Sequence, residues 1–560
     1  MTGSVAAPVL EQRAADLAAL ADERYDLVIV GGGIVGAGAL LDAASRGMKV
    51  ALVEQDDIAS GTSSRSSRLI HGGLRYLEQL RFGLVREALA ERSRLLRLAP
   101  HLVRLEPLLF PLYGWPVVQR VFYGSGILLY DLLGSRLDGG FARHLSRKET
   151  LDWAPDLRRP GLQGSIVYHD GVEDDARYAL AVVRTALGMG ARAVTRVRAT
   201  GVLERDGRAD GIRASDLVGG GEFEVRADAV LDATGVWVAE AGAPLGSGAR
   251  VRPSKGAHIV VRRERIRSRT GLTIRIPGRV VFLVPWPGHW LIGTTDDDFH
   301  GPPDRPSADA ADIEQILRTV NDTLDVNLGR DDIVGTYAGL RPLAVGGATG
   351  PTAKASREHR VTREANGIVR IIGGKYTTYR VMGRDAVDAV LGREGALARP
   401  SATEELRLVG AADRADLDRL ATDLVRAGFE PDVAARLVDR HGTEADKVVA
   451  LGLSQGLGGR LGAGVDAVEA EVAWAVRREL ALSVDDVLAR RTRLAQELPD
   501  RGAAIAPRVA AIMGTPLGWD AARQATEVAT YLAGARREYG VPEASRAPAG
   551  EPAPAFEPAG

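Results

Sequence analysis

The 560-residue chain contains no cysteine. Disulfide bonds, thiol nucleophiles and cysteine-ligated metal sites are therefore excluded, and the composition fits a reducing cytosol. The nine histidines show neither the H-x-x-x-H nor the H-E-x-x-H spacing of a zinc site. The sequence therefore predicts no metal centre.

An excess of one charge and long apolar runs are also missing. The chain has 72 Lys and Arg against 73 Asp and Glu, a formal net charge of −1, so nothing indicates binding to nucleic acid. No apolar run approaches ~20 residues, so no membrane-spanning helix is predicted. Residues 1–24 are alanine-rich and interrupted by charges, unlike a signal peptide. We expect an N-terminal extension that is partly helical and has no assigned function.

Glycine, in contrast, is abundant, and one glycine-rich stretch organises the chain. The apolar run 27–30 predicts a buried parallel strand. A G-x-G-x-x-G motif follows it, formed by Gly31, Gly33 and Gly36. The first glycine allows a tight turn, the second lets the backbone approach a pyrophosphate, and the third packs helix on strand. The helix predicted over 34–46 directs its positive end at the phosphates.

The acidic residue expected of such a unit is present as well. Glu54 ends the next predicted strand, about 20 residues after the motif, where a carboxylate can hold two ribose hydroxyls. Strand, glycine turn, helix and acid together predict a dinucleotide site. A tight turn without a ligand is the alternative, and the motif itself does not distinguish NAD from FAD.

The stretch 60–76 is dense in hydroxyl groups and glycines and then becomes basic. Hydroxyls and exposed N–H groups suit a long cofactor that carries phosphate. Here the sequence resembles the FAD-dependent glycerol-3-phosphate dehydrogenases of the glycine oxidase-like flavoprotein superfamily. The motifs that carry the resemblance run in family order from about residue 25 to residue 385: TSSRSSRLIHGGLRYLE, EALAER, LAPHL, DDAR, DATG, KGAHIVV, GTTD, GLRPL and GGKYTTYR.

The resemblance implies a reaction as well as a cofactor. It implies that FAD accepts a hydride from carbon 2 of sn-glycerol 3-phosphate, which becomes dihydroxyacetone phosphate, and that electrons then pass to a membrane quinone. A glycerol-3-phosphate oxidase, which reduces O₂ to peroxide, shares nearly all of these motifs and stays open as the alternative. The retained cationic residues argue against a flavin-binding scaffold without turnover. The single glycine fingerprint disfavours an NAD-linked dehydrogenase.

The order of predicted elements indicates an α/β protein. We expect a Rossmann-like FAD-binding domain interleaved with an antiparallel-sheet substrate domain, followed by a C-terminal helical domain. Within an oxidoreductase region over 25–395, the FAD-binding parts are predicted at about 25–80, 160–250 and 340–395, and the substrate parts at about 81–159 and 251–339. The helical domain follows over 396–535, and a disordered Pro/Ala-rich tail over 536–560.

A small dianionic substrate needs cations and hydrogen-bond donors. The resemblance places Arg75, Arg341 and Lys375 in three family motifs, each after a loop expected near the flavin. These residues, with Tyr76 beside them, are predicted to line the substrate pocket. Arg68 stands where many relatives carry lysine, so the positive charge is kept.

Two histidines are candidates for the base that takes the hydroxyl proton. His258 lies on a strand of the predicted substrate domain, and the family motif places this histidine at the substrate. His71 lies in the cofactor-proximal loop, where contact with flavin is the better interpretation. We therefore assign the base to His258. The resemblance implies further cofactor contacts from Thr62, Ser63, Ser64, His71, Val197, Gly235, Gly374, Lys375 and Thr377.

The stretch 115–133 is the most apolar mixed segment, with Arg120 inside it and Arg136 after it. A packed helix beneath the substrate domain and a membrane-surface contact are both open interpretations. Reduction of a quinone implies a cytoplasmic protein bound peripherally to the inner face of the cytoplasmic membrane. A homodimer is the candidate assembly.

Overall fold

The computed structural model describes residues 9–72, 82–114, 142–239, 243–246, 251–276, 279–344 and 358–543. Arg75, Tyr76 and the apolar stretch 115–133 lie outside these ranges. Within them, the strands form three sheets and a helical region follows. The predicted α/β class is confirmed.

A six-stranded, mostly parallel sheet carries the glycine motif and forms the layer predicted to bind the cofactor, which we call the cofactor-binding layer. Its strands are β2 (Leu27–Val30), β3 (Val50–Glu54), β8 (Arg192–Thr195), β12 (Val230–Asp232), β19 (His359–Arg363) and β20 (Val369–Gly373). They lie in the order β19-β20-β12-β2-β3-β8. Only β19 pairs antiparallel to its neighbour. Strand β2 is buried along its whole length, which explains its unbroken apolar sequence. The helix Ile34–Ser45 connects β2 to β3 and ends before Gly47, whose φ is +74°.

A four-stranded sheet beside this layer has the order β1-β11-β10-β9. Its strands are β1 (Arg24–Tyr25), β9 (Val197–Arg205), β10 (Arg208–Asp216) and β11 (Glu222–Ala227). The N-terminal helix Val9–Asp22 is fastened here, because Arg13 donates to the Thr195 carbonyl at 2.8 Å and to Asp216 at 2.5 Å. The described part of the extension is therefore anchored to the fold.

A ten-stranded sheet forms the substrate-side layer. Its strands are β4 (Leu69–Ile70), β5 (Val103–Tyr113), β6 (Arg143–Ser146), β7 (Leu162–Glu173), β13 (Val251–Arg262), β14 (Gly271–Ile276), β15 (Arg279–Trp286), β16 (His289–Gly293), β17 (Asp297–Asp298) and β18 (Ile333–Ala344). Strand β7 pairs with β5 along its whole length. The sequence predicts that the FAD-binding part resumes at about residue 160. In the structure β7 still belongs to the ten-stranded sheet, so this boundary lies after β7.

Helices cover the faces of these sheets and build the C-terminal region. Those within the sheet-bearing part are Phe82–Leu98, Arg147–Trp153, Asp175–Gly188, Ala310–Thr323 and Tyr379–Ala398. Those that follow are Arg414–Arg426, Pro431–His441, Ala445–Ser454, Glu469–Arg478, Leu494–Glu497, Ala506–Leu517 and Ala521–Tyr539, with a π-helix at Asp486–Arg491. The disordered tail predicted to begin at residue 536 begins too early. The last α-helix continues to Tyr539, whose side chain is buried in the core.

The C-terminal helices share a hydrophobic core with the ten-stranded sheet. One cluster contains Val260 and Tyr337 from the sheet and Leu488, Leu494 and Val509 from the helices.

Buried ion pairs join the C-terminal helices to other segments of the chain. Asp57 accepts from Arg490 at 2.6 Å and from Arg491 at 2.7 Å, and Asp174 accepts from Arg493 at 2.7 Å. The helical region is thereby joined to the segments that carry the predicted site. None of the described helices combines the length and apolar character needed to cross a bilayer.

Candidate active site

A cavity of about 1360 Å³ lies between the cofactor-binding layer and the ten-stranded sheet. Most of the residues predicted from the sequence line it: Gly31, Gly33, Glu54, Thr62, Ser63, His71, Val197, Gly235, His258, Arg341, Gly374, Lys375 and Thr377. Gly36 and Ser64 do not line it. The arrangement brings the glycine motif and the proposed substrate residues to one space.

The glycine turn has the geometry that its motif predicts. Gly31 has φ +111°, and a Cβ atom there would lie 2.6 Å from the Ala233 carbonyl oxygen. A Cβ atom at Gly36 would lie 1.9 Å from the Gly31 carbonyl oxygen. Gly36 therefore packs the helix against the turn, as expected for the third glycine, which is why it lies behind the cavity wall.

Ser63 meets the first turn of the helix Ile34–Ser45. Its Oγ accepts a hydrogen bond from the Ile34 amide at 2.9 Å. A serine hydroxyl that accepts one bond still has its own proton to donate. Ser63 can therefore donate to a phosphate oxygen next to the positive end of the helix.

Glu54 ends strand β3 with both carboxylate oxygens engaged. Oε2 accepts from the Gly32 amide at 2.6 Å, and Oε1 accepts from the Asp56 amide at 2.7 Å. Burial raises the pKa of the Glu54 carboxyl to about 7, against the opposing effect of the Gly32 bond. The backbone thus holds the carboxyl group at the wall of the cavity, where the sequence predicts a contact with ribose.

The hydroxyl-rich loop is also hydrogen-bonded to other segments of the chain. Thr62 Oγ1 donates to the Leu340 carbonyl at 2.6 Å, and Thr377 Oγ1 accepts from the His71 amide at 3.3 Å. Ser64 is buried, and its carbonyl accepts from Arg493 at 3.1 Å. The Ser64 backbone therefore joins the loop to the C-terminal helices, and the cofactor contact expected of Ser64 stays a prediction.

A second glycine turn closes the cofactor side. Gly373 ends β20 and Gly374 follows it, with φ +75° and +84°, and a Cβ atom at Gly374 would lie 2.4 Å from the Met382 sulfur. Lys375 comes next and precedes the 3₁₀ turn Tyr376–Thr378, which leads into the helix Tyr379–Ala398. The predicted order of strand, glycines and helix is therefore present, with Lys375 at the cavity.

At the substrate end, strands β13 and β18 pair antiparallel and place His258 opposite Tyr337. The two rings stack with centroids 4.7 Å apart and an interplanar angle of 9°. The Nε2 atom of His258 lies 2.8 Å from the Ser67 hydroxyl. The imidazole is 3% exposed, and burial, followed by the charges of Arg341 and Arg68, lowers its pKa to about 3. His258 is therefore neutral near pH 7.

Arg341 lies on the same face of β18 as Tyr337, four residues along. Its Nη2 donates to Thr294 Oγ1 at 2.9 Å and to the Thr295 carbonyl at 3.3 Å. Its Nη1 donates to Asp296 at 3.2 Å and to Ser254 Oγ at 3.4 Å. All four of these contacts are longer than the ~2.8 Å of a strong charge-assisted bond. A phosphate dianion can therefore compete for these donors while the guanidinium stays in place.

Gly256 makes room for this guanidinium. A Cβ atom at Gly256 would lie 2.4 Å from Arg341 Nη2 and 2.5 Å from Thr294 Oγ1. Thr294 and Asp296 belong to the GTTD motif, one of those that carry the family resemblance. The motif was visible, but its contact with Arg341 depends on how β13, β16 and β18 pair, which residue spacing does not reveal.

The arrangement has a definite chemical capacity. A fixed guanidinium suits an anionic group of a small substrate. A neutral imidazole beside a hydroxyl can accept a proton. Both line the cavity that carries the dinucleotide motif, so an alcohol held there could lose its proton to the protein and its hydride to the cofactor.

Comparison with protein families supports this interpretation. Residues 26–380 match the family of FAD dependent oxidoreductases named DAO. Residues 401–524 match the C-terminal domain of alpha-glycerophosphate oxidase. The two matches together cover the sheet-bearing part and most of the helical region.

Individual relatives extend over nearly the whole chain. A glycerol-3-phosphate dehydrogenase of Mycobacterium leprae (strain TN) is 45% identical over 530 residues, covering 93% of this chain and 90% of the relative. A mitochondrial glycerol-3-phosphate dehydrogenase of Arabidopsis thaliana is 34% identical, covering 92% and 87%. The crystal structure of the glycerol-3-phosphate dehydrogenase from Bacillus halodurans, complexed with FAD, superposes with a TM-score of 0.76 at 25% identity and covers 95% of this chain and 98% of that one.

Proposed function

Since the chain belongs to the family of FAD-dependent glycerol-3-phosphate dehydrogenases, we propose that it oxidises sn-glycerol 3-phosphate to dihydroxyacetone phosphate and passes the electrons to a quinone. One observation carries the proposal: the Arg341 guanidinium and the neutral imidazole of His258 line the same cavity as the glycine motif. A phosphate, a secondary alcohol and a hydride acceptor would meet there.

The residues present fit FAD. The backbone at Gly31 and Gly33 leaves a cradle that side chains would narrow, since a Cβ atom at Gly33 would lie 3.2 Å from Ser63 Oγ. Ser63 and the start of the helix Ile34–Ser45 would hold the pyrophosphate, and Glu54 the adenosine ribose. When bound, FAD supplies the hydride acceptor.

Arg341 binds the phosphate group in this proposal. The planar guanidinium matches two phosphate oxygens, which the ammonium group of a lysine does not. Thr294 and Asp296 hold it in one orientation. Lys375 lines the same cavity and supplies a second positive charge beside the substrate.

His258 takes the hydroxyl proton at Nε2. The partner of Nε2, Ser67, lines the cavity, whereas Nδ1 is buried and has no hydrogen-bond partner among the described residues. In the tautomer that carries its proton on Nδ1, Nε2 accepts from the Ser67 hydroxyl, and the substrate hydroxyl would replace Ser67 as the donor. The stacked ring of Tyr337 keeps the imidazole in the plane that this transfer needs.

The acceptor is tested by separating the two half-reactions. Purified yellow protein is mixed anaerobically with glycerol 3-phosphate, and bleaching of the flavin reports substrate oxidation. A quinone analogue or air is then added. We expect the quinone analogue to restore the flavin colour much faster than O₂, and NAD and NADP to have no effect. The relatives named dehydrogenases support this expectation.

Rapid formation of peroxide, stoichiometric with substrate, would instead select the oxidase alternative. A quinone acceptor also implies loose membrane association that is sensitive to salt or detergent. Recovery of all the protein in the soluble fraction of gently lysed cells would count against that part of the proposal alone.

We expect the affinity for FAD to fall as the pH is lowered through about 7. Burial raises the pKa of Glu54 to about 7, whereas ribose hydroxyls that donate to the carboxylate favour its ionised form. Binding therefore releases a proton below pH 7, and Kd should rise by up to about tenfold per pH unit until the pKa of the complex is reached.

The measurement is a fluorescence titration of the protein freed of flavin, repeated across the pH range. Glu54→Gln is the matched control, because it keeps the shape of the side chain without the titration. This variant should bind FAD more weakly with a flat pH dependence. Equal slopes in the two proteins would remove Glu54 as the titrating group.

A further inference from the structure

Four side chains from distant parts of the chain form a layered stack behind the cavity. The guanidinium carbon of Arg68 lies 4.1 Å from the ring centroid of Trp286 and 5.8 Å from that of Tyr337. Tyr337 in turn stacks on His258 at 4.7 Å. Arg68 therefore lies beside the ring that stacks on the imidazole of His258.

Arg68 is an unusual cation. Its side chain is fully buried, at 0% exposure, and its backbone has φ +55°. No described carboxylate lies within ion-pair distance of it, although its charge, after that of Arg493, lowers the pKa of the Asp174 carboxyl. Its Nε and Nη1 atoms have no hydrogen-bond partner among the described residues. Its Nη2 donates to the side-chain oxygen of Gln496. Burying a guanidinium in this way costs free energy of folding, because the charge loses its hydration without gaining an ion pair. A role in function would explain why the charge is kept.

The C-terminal helical region packs against these four side chains. Gln496 belongs to the helix Leu494–Glu497, and the backbone carbonyl oxygen of Gln496 would lie 2.5 Å from a Cβ atom at Gly335 of strand β18. The neighbouring Glu497 accepts from the Trp286 indole at 2.6 Å. This short helix therefore makes three contacts: with strand β18, which carries Tyr337, with Arg68 and with Trp286.

We propose that Arg68, held by Gln496, is a positioning residue for the oxidation of glycerol 3-phosphate, fixing the Tyr337–His258 stack and opposing a second positive charge on the imidazole before substrate arrives. The inference rests on the proposed function. It assigns a role in the active site to the C-terminal helical region, which reaches the imidazole through Gln496, Arg68 and Tyr337.

Few charged groups face His258. Arg341 on β18 and Arg68 from the segment before β4 both lower its pKa, after burial. Tyr337 is a neutral phenol, because burial raises its pKa to about 12. Ser67 and the paired Gly293 of β16 carry no charge. Removing the charge of Arg68 should therefore raise the pKa of His258, with Arg341 left as the nearest cation.

The test compares Arg68→Met, which removes the charge, with Arg68→Lys, which keeps it. The rate of flavin reduction at saturating glycerol 3-phosphate is followed from acid to alkaline pH under anaerobic conditions. We expect the acid limb of Arg68→Met to move upward by about one pH unit, and that of Arg68→Lys to stay with the parent protein. Arg68→Lys should lose a few-fold in rate throughout, because an ammonium cannot stack as a plane.

A second variant covers the case in which Arg68→Met does not fold. Gln496→Glu keeps the side-chain shape but pairs Arg68 with a carboxylate, so the acid limb should move in the same direction. Arg263→Met is the matched control. Arg263 stacks on Trp290 at 3.6 Å elsewhere in the sheet, and its loss should leave the pH profile unchanged.

A readout independent of turnover is the proton NMR signal of His258 in protein labelled at histidine and free of substrate. The signal is assigned with His258→Asn. It should titrate at higher pH in Gln496→Glu and Arg68→Met than in the parent. Unchanged titration and an unchanged acid limb in both variants would overturn the inference and leave Arg68 a structural cation. If glycerol 3-phosphate does not reduce the flavin of the parent protein, the proposed function fails instead.

Discussion

Arg341→Met is expected to lower kcat/KM for glycerol 3-phosphate by about a hundredfold to a thousandfold, the cost of removing one partner from a partly buried charge pair. Arg341→Lys should lose roughly one to three kcal/mol of transition-state stabilisation. The guanidinium is 22% exposed and fixed by Thr294 and Asp296. Lysine keeps the charge but cannot present two parallel donors to the phosphate.

The measurement is anaerobic flavin reduction with glycerol 3-phosphate and, in parallel, with glycerol. If Arg341 binds the phosphate, the preference for glycerol 3-phosphate over glycerol should collapse in Arg341→Met. A role confined to holding the strands together would lower both rates and keep their ratio. FAD content should survive, because Arg341 lies on the ten-stranded sheet.

Gly256→Ala tests the same contact without touching the charge. The added Cβ atom would meet Arg341 Nη2 at 2.4 Å, so the guanidinium must shift. We expect the preference for glycerol 3-phosphate to fall, though less than in Arg341→Met. A variant with the parent preference would show that the orientation of the guanidinium does not matter, and the proposal that Arg341 binds two phosphate oxygens would have to be abandoned.

Local patterns predicted the cofactor end of the molecule well. Strand β2, the helix Ile34–Ser45 and the position of Glu54 follow from short-range features: an unbroken apolar run, a glycine spacing and an acid at a set distance. Each involves a few dozen residues. Their geometry depends little on the rest of the chain.

Contacts across the chain could not be predicted in this way. Gln496 and Arg68 are 428 positions apart, and the pairing of His258 with Tyr337 depends on the register of β13 and β18. The 3₁₀ turn at Thr62–Ser64 is another such case, because it directs successive hydroxyl residues to different surroundings. Thr62 and Ser63 line the cavity, and Ser64 does not. The roles of Arg75 and Tyr76 stay predictions from the family resemblance.

The second large effect is expected at His258, the histidine predicted to act as the base. His258→Ala should lower the rate of flavin reduction by about a hundredfold to ten-thousandfold, the usual range for a general base. KM should change less, because the proposed phosphate site at Arg341 is left intact. His71→Gln is the matched control, and it should alter the flavin absorbance more than the rate.

The pH dependence separates proton transfer from packing. Burial, with Arg341 and Arg68, lowers the pKa of His258 to about 3, so the imidazole of the free protein is already neutral at pH 5 and above. The parent rate at saturating substrate should therefore be nearly flat from neutral to alkaline pH. In His258→Ala the proton must pass to solvent, and the rate should rise with pH as hydroxide becomes available. An unchanged rate in His258→Ala would move the base to His71 or to solvent. A large loss with a flat profile would instead mean that the imidazole shapes the cavity without taking the proton.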